Sequence, residues 1–255
     1  MSDYPSAEQL APEVVRVSHA LHANGWVANH DGNVTGALGE GRYLATPTAV
    51  SKAAVQVSML IVVNGAGEVL EGSRGSFSEI KLHMAAYRSR GDVRAVLHAH
   101  PPIATAFAVA GRALGEPFMA EPIVSLGAEI PLVPFGLPGE KALDASIASA
   151  LERADAVMLG NHGVITVGPD LDTCLLRMEL VEHMCKIALA ATQLGGTKPL
   201  PHSVVQKLSE KHAKLFPREI LSGGRGGGVT TTVARTQTSK GDGNRLVQEA
   251  LRKLL

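Results

Sequence analysis

The residues of this sequence best placed to do chemistry are His98 and His100, two positions apart in Val96-Leu-His-Ala-His-Pro101. The apolar run over 93–97 predicts a buried strand, and residues i and i+2 of a strand project from one face. Two imidazoles side by side at a strand end are half of a metal site, since catalytic zinc takes three protein ligands and keeps one position open. The same pair also fits a hydrogen-bonded strand end with no metal. His162, in Gly160-Asn-His-Gly163, is the natural third ligand, because little side-chain bulk surrounds it and its ring can sit at a cleft. Taken alone it reads as a turn histidine. Glu79 offers a carboxylate on the first turn of a helix that leads toward the histidine strand. Ser76 and Glu79 also have the spacing of a capping box, in which the glutamate hydrogen-bonds back to the helix start.

The elements that must position these groups follow from periodicity. Ser6 and Gln9 form a capping box for a helix with the apolar stripe Leu10, Val14, Val17 and Leu21, ended at Asn24-Gly25. Strands are predicted over 42–46, 55–63 and 69–70, with Asn64-Gly-Ala-Gly-Glu68 as a hairpin connection. Pro101-Pro102 stop the histidine strand and open a short helix over 103–110. The proline-rich segment 115–138 predicts short or edge strands at Pro122-Ile-Val-Ser and Ile130-Pro-Leu-Val-Pro134. Helices are then expected over 141–153, 170–192 and 203–215, and strands over 156–159 and 164–167. His83, one turn beyond Glu79, reads as a structural histidine.

Two loops have the composition to hold a ligand. Residues 28–36 are small and polar, tolerate φ > 0 and offer free backbone N–H groups, so they could cradle an anion or form an ordinary turn. Pro47-Thr-Ala-Val-Ser51 is a second, hydroxyl-rich loop close by in sequence.

The 255 residues are enough for a large core, with 45% of them hydrophobic. Lys plus Arg and Asp plus Glu both number 24, so no basic field invites nucleic acid or an anionic membrane. Cys174 and Cys185 fall on one predicted helix, too far apart for a disulfide, and read as core thiols in a reducing compartment. The N-terminal residues lack a signal peptide's pattern and no apolar run approaches the roughly 18 residues of a membrane span, so a cytoplasmic protein is expected. The domain expectation is a catalytic unit over 1–215. A Gly/Thr-rich flexible tail follows over 216–255, with a short terminal helix from Arg245.

The series Gly32-Asn-Val-Thr35, Thr46-Pro-Thr48, Ser78-Glu79 with His83-Met-Ala-Ala-Tyr87, Val96-Leu-His-Ala-His-Pro101 and Asn161-His-Gly-Val164 resembles the class II aldolase/adducin family over roughly residues 7–195. The resemblance implies an α/β fold, a three-layer α/β/α domain with a mostly antiparallel central sheet, assembled as a homotetramer with sites at subunit interfaces. It implies zinc, or Mn2+, Co2+ or another divalent ion, held by His98, His100, His162 and Glu79, with Glu79 as acid/base. It also implies a substrate phosphate bound by Asn33, Thr48 and Ser78, with Ser76 in support. The implied partner is a small sugar phosphate, with no nucleic acid and no membrane.

The activity so implied is zinc-dependent retro-aldol cleavage of a ketose 1-phosphate to dihydroxyacetone phosphate and an aldehyde. The alternatives are epimerisation, decarboxylation or dehydration of a related sugar phosphate or sugar acid, and, outside enzymology, an adducin-like interaction domain. The chain departs from the aldolase pattern at several places. Ala49 stands where a glycine is expected, Phe77 where a serine is expected, and its three tyrosines, Tyr4, Tyr43 and Tyr87, are not in the segments where the family's catalytic tyrosines fall. Phe118 and Glu121 occupy the middle segment instead.

Overall fold

Residues 4–221 are described by a computed structural model. The glycine-rich stretch from Ser222 and the expected terminal helix from Arg245 lie outside the described residues. The first helix, α1 (Ala7–Ala23), forms as its pattern demands. Ser6 accepts from the Gln9 backbone, the Gln9 side chain accepts from Ser6 N, and Leu10, Val14, Val17 and Leu21 are buried. Strands β1 (Asn33–Gly39), β2 (Arg42–Ala45), β3 (Ile61–Asn64) and β4 (Val69–Glu71) pair antiparallel in succession. The run expected as one strand over 55–63 is instead a loop and a 3-10 turn at Val57–Met59 before β3, with Val57 largely exposed.

Helix α2 (Ile80–Ser89) leads to β5 (Ala95–Ala99), the histidine strand, and α3 (Pro102–Val109) starts at Pro102. The segment expected as an edge strand at Pro122 is helix α4 (Ala120–Leu126). Pro122 falls in its first turn, where a missing N–H costs the helix nothing. Then come β6 (Leu132–Val133), α5 (Lys141–Leu151), β7 (Ala156–Leu159), β8 (Gly163–Gly168), α6 (Leu171–Thr192) and α7 (His202–Leu215).

The eight strands form one sheet in the order β4-β3-β2-β1-β5-β8-β7-β6, antiparallel at every pairing except β6 with β7. Side chains alternate across it. On β5, Ala95, Leu97 and Ala99 join the core beneath α1, α3 and α6, while Val96 joins the core beneath α2 and α5. Period-2 alternation therefore puts His98 on the α2 side. The result is the expected three-layer α/β/α domain with a mostly antiparallel sheet. Fully buried Val96 and Leu97 each contribute roughly 1.5–3 kcal/mol to holding β5 in register. Cys174 and Cys185 are free and buried in α6. No helix among the described residues is long and apolar enough to cross a membrane.

The end of the described chain is tied to the sheet by a buried charge cluster. The Asp155 carboxylate, fully buried, meets Arg90 Nη1 at 2.5 Å, Arg177 Nη2 at 2.8 Å, Arg218 Nε at 3.1 Å and His212 Nε2 at 3.2 Å. The Arg177 contact is an ion pair without hydrogen-bond geometry, since Arg177 Nη2 and Asp155 Oδ2 have no hydrogen-bond partner. Burial alone would raise the Asp155 carboxyl, but the surrounding cations, Arg177 foremost, hold it well below the usual carboxylate range.

Candidate active site and metal centre

Register delivers the first two ligands. Asn33 of β1 pairs with His98 of β5, and Ile165 of β8 pairs with His98 from the other side, so His98 is enclosed by strands and wholly buried. His98 Nδ1 donates to the Val164 carbonyl at 3.0 Å, which fixes the tautomer and leaves Nε2 with a free lone pair. His100, just past the strand end, is partly exposed. Its Nε2 lies 3.1 Å from Nε2 of His98.

His162 comes from the tight turn between β7 and β8. Asn161 there has φ 53°, and Gly163 has no space for a side chain: a Cβ would meet the Ala99 carbonyl and His100 Cδ2 at 2.5 Å each. Only glycine lets β8 bring His162 against β5. The three rings then stand with centroids 4.6 to 5.2 Å apart.

The carboxylate arrives from α2. Glu79 is the residue that begins this helix, yet its side chain makes no capping bond. The capping-box expectation is therefore corrected: the Ser76 hydroxyl is buried without a hydrogen-bond partner, and Glu79 turns to the histidines. His162 Nε2 donates to Glu79 Oε1 at 2.6 Å, His98 Nε2 lies 3.5 Å from the same oxygen, and the Asn33 amide donates to Oε2 at 2.6 Å. The ligand atoms of Glu79, His98, His100 and His162 all lie within 4.8 Å of one another.

Electrostatics agree with this geometry. Burial by itself would raise the Glu79 carboxyl, but the hydrogen bond from His162 and the adjoining His98 ring outweigh it and hold Glu79 ionised, far below the usual carboxylate range. Burial, reinforced by His98 and His162, pushes His100 down to about 4, so its ring is neutral and able to ligate at neutral pH. Three imidazoles and one ionised carboxylate, with their ligand atoms within 4.8 Å of one another, are a donor set that fits zinc or a similar divalent ion. Asp31 Oδ2 stands 3.7 Å from His100 Nδ1, placed to orient that ring.

With this geometry in place, the family can be decided. Residues 12–189 match the family model described as the Class II Aldolase and Adducin N-terminal domain. The chain belongs to the class II aldolase and adducin family. Among its relatives, a 3-oxo-tetronate 4-phosphate decarboxylase of Escherichia coli (strain K12) is 28% identical, over 82% of this chain and 99% of the relative. The L-fuculose phosphate aldolase of Escherichia coli (strain K12) is 33% identical, over 76% of this chain and 87% of the relative. A solved L-fuculose 1-phosphate aldolase superposes with a TM-score of 0.74 at 26% identity, covering 83% of this chain and 99% of that one.

The expected phosphate residues do not gather as the metal ligands do. Asn33 is buried and engaged with Glu79, whereas Thr48 and Ser78 are exposed and Ser76 is intermediate. The loops that carry Thr48 and Ser76 do meet, through Thr48 N donating to the Gly75 carbonyl. Three charged residues around the cluster belong to none of the motifs in the sequence: Asp31, Lys52 and Glu182. Asp31 lies in the segment that also reads as an ordinary turn. Lys52 is in fact 1% exposed, and its ammonium is held by the carbonyls of His30 and Val50. Glu182 of α6 is 2% exposed and accepts from Ile103 N and Ala104 N at the start of α3, directly behind His100-Pro-Pro.

Proposed function

We propose that this chain is a divalent-metal-dependent lyase that cleaves a ketose 1-phosphate by a retro-aldol reaction to dihydroxyacetone phosphate and an aldehyde. The convergence of Glu79 on His98, His100 and His162 carries this reading. These four residues would hold the ion, zinc in the first instance and Mn2+ or Co2+ otherwise. When bound, it supplies Lewis acidity for the negative charge that develops at a ketone oxygen as the neighbouring bond breaks.

The chain's own residues account for the proton. In a retro-aldol cleavage the departing fragment's hydroxyl loses a proton as it becomes an aldehyde, and the carbon left behind gains one. A base that begins ionised suits that order, because it takes the hydroxyl proton and returns it to carbon. Glu79 begins ionised, and the Asn33 amide on Oε2 keeps Oε1 turned toward the histidines. The substrate phosphate is assigned to Asn33, Thr48 and Ser78, with the unpartnered Ser76 hydroxyl as a further donor. Such a remote contact supplies binding energy that positions the reacting carbon.

Decarboxylation of a 3-oxo sugar-acid phosphate is the second reading, favoured by relatives named for it that the match spans at 99% of their length. It needs no hydroxyl base and no tyrosine, only delivery of one proton to carbon. An adducin-like, non-catalytic role would tolerate loss of the metal ligands, and all four are present. The assembly proposed is a homotetramer in the cytoplasm. Exposed Val109, Phe135 and Leu137, together with the turn that carries His162, support a subunit interface beside the site, and the buried free thiols suit a reducing compartment.

A turnover screen with metal-loaded protein over ketose 1-phosphates and 3-oxo-acid phosphates, following triose phosphate and carbon dioxide, tests this. Dihydroxyacetone phosphate is the expected product. Carbon dioxide without triose phosphate would replace the aldolase by the decarboxylase, and turnover of neither class would overturn both.

A further inference from the structure

Lys52 is the only lysine that is buried among the described residues. Its ammonium donates to the His30 carbonyl at 3.1 Å and to the Val50 carbonyl at 2.8 Å. His30 belongs to the loop that precedes β1 and delivers Asn33 to Glu79. Val50 belongs to the loop after β2 that carries Thr48. Lys52 therefore joins the two loops that composition marked as suited to an anion.

What it lacks is a counterion. Lys52 makes no salt bridge among the described residues, although Asp31 and Glu79 act on it from farther away. A desolvated ammonium is unfavourable unless opposite charge answers it, and backbone carbonyls supply only partial charges. Two of its three donors are spent on those carbonyls, which hold the charge in one place. A brace between loops would be served as well by a neutral amide donor. A fixed cation with no salt-bridge partner among the described residues is of use to a ligand that arrives with negative charge.

We propose that the Lys52 ammonium is the positive pole of an anion subsite between loops 28–33 and 47–51, selecting substrates that carry a phosphate or carboxylate beside the histidine and glutamate cluster. It is a positioning and specificity residue, and it rests on the reading of this site as one for anionic sugar derivatives. Burial, which lowers the Lys52 ammonium to about 8, is opposed by Asp31 and Glu79, and the group is still mostly charged at neutral pH.

The test is calorimetric titration of inorganic phosphate onto the metal-loaded full chain, with Lys52→Gln and Lys52→Arg beside it. Gln keeps a donor for the carbonyls and removes the charge, whereas Arg keeps the charge. Lys52→Gln is expected to weaken phosphate at least about tenfold and Lys52→Arg by no more than about threefold, as for loss and retention of one close charge. Melting temperatures and metal content should stay at wild-type values in both. Acetate titrated in parallel identifies the anion, because Lys52→Gln loses whichever of the two the subsite takes. Phosphate and acetate binding unchanged in Lys52→Gln, or lost equally in both variants, would overturn the proposal.

If the variants do not fold, the unaltered protein labelled with 15N-lysine decides. A protected lysine Nζ signal must shift on adding phosphate or acetate, and indifference of every such signal to both would overturn the proposal. Both measurements read binding without turnover, so a failed product screen would leave them standing and identify the lyase reading as the part at fault.

Discussion

Nε2 of His162 and Oε1 of Glu79 lie 2.6 Å apart across 83 residues of sequence. That bond joins the turn before β8 to the start of α2 and sets an ionised carboxylate among three imidazoles. Replacing Glu79 by Gln preserves the shape and removes the base. Turnover should fall by about 10²–10⁴, the usual contribution of a positioned acid/base. Metal content should persist, since His98, His100 and His162 remain. Steady-state kinetics paired with metal analysis checks both parts, and a variant with undiminished turnover would remove Glu79 from the chemistry.

Acid should destabilise the fold earlier than carboxylate protonation alone would. His83 is fully buried against Thr35, and burial, reinforced by the neighbouring His98, lowers its ring to about 3 from 6.5. The unfolded chain then binds a proton that the folded chain refuses. The stability this contributes is complete above 6.5 and is lost as pH falls through the window from 6.5 toward 3. Between pH 6.5 and 4.5 the metal-free protein should lose about 2–3 kcal/mol through this group. Urea unfolding at those two pH values reads the loss, and His83→Gln should flatten the slope.

Asp155→Ala should be among the most damaging changes far from the site. It would leave Arg90 and Arg177 buried together without their shared carboxylate, and would free Arg218. Removing one member of a buried ion cluster costs about 3–5 kcal/mol. Urea denaturation measures it, and a loss below about 1 kcal/mol, the scale of a surface pair, would show that the cluster is not stabilised through Asp155.

Glu182→Ala should act on the metal site through α3. Its carboxylate caps Ile103 N and Ala104 N, at 3.1 and 2.9 Å, in the turn that follows His100. Loss of a cap at a helix N-terminus costs roughly 0.5–2 kcal/mol. Loosening an outer support of a ligand should weaken metal by roughly 10–100-fold. Competition with a chelator gives the affinity, and an unchanged affinity would confine Glu182 to stability.

Much of this was legible because it repeats along the chain. The stripe Leu10, Val14, Val17 and Leu21 has helical period and lies buried as expected. The buried runs of β5 and β8, broken by His-Ala-His and Asn-His-Gly, were visible because strand ends and glycines are local signals. What escaped depended on partners distant in sequence. Ser76 and Glu79 have a cap's spacing, but the histidines compete for the carboxylate and prevail. Pro122 read as an edge-strand proline because its alternative, a helix's first turn, has the same local appearance. Lys52 and Glu182 are charged residues whose burial requires carbonyls or N–H groups from other elements, and no spacing rule reveals those.

The central claim is that four side chains form one metal centre. Elemental analysis of protein purified without chelator, wild type beside His98→Ala, tests it most directly. His98 is the buried ligand whose Nδ1 is fixed by Val164, so no neighbour can replace it. The wild type should carry about one divalent ion per chain, and His98→Ala, still folded by circular dichroism, should carry almost none. A wild type that binds no divalent ion when supplied in excess, or a His98→Ala protein that keeps a full equivalent, would contradict the account.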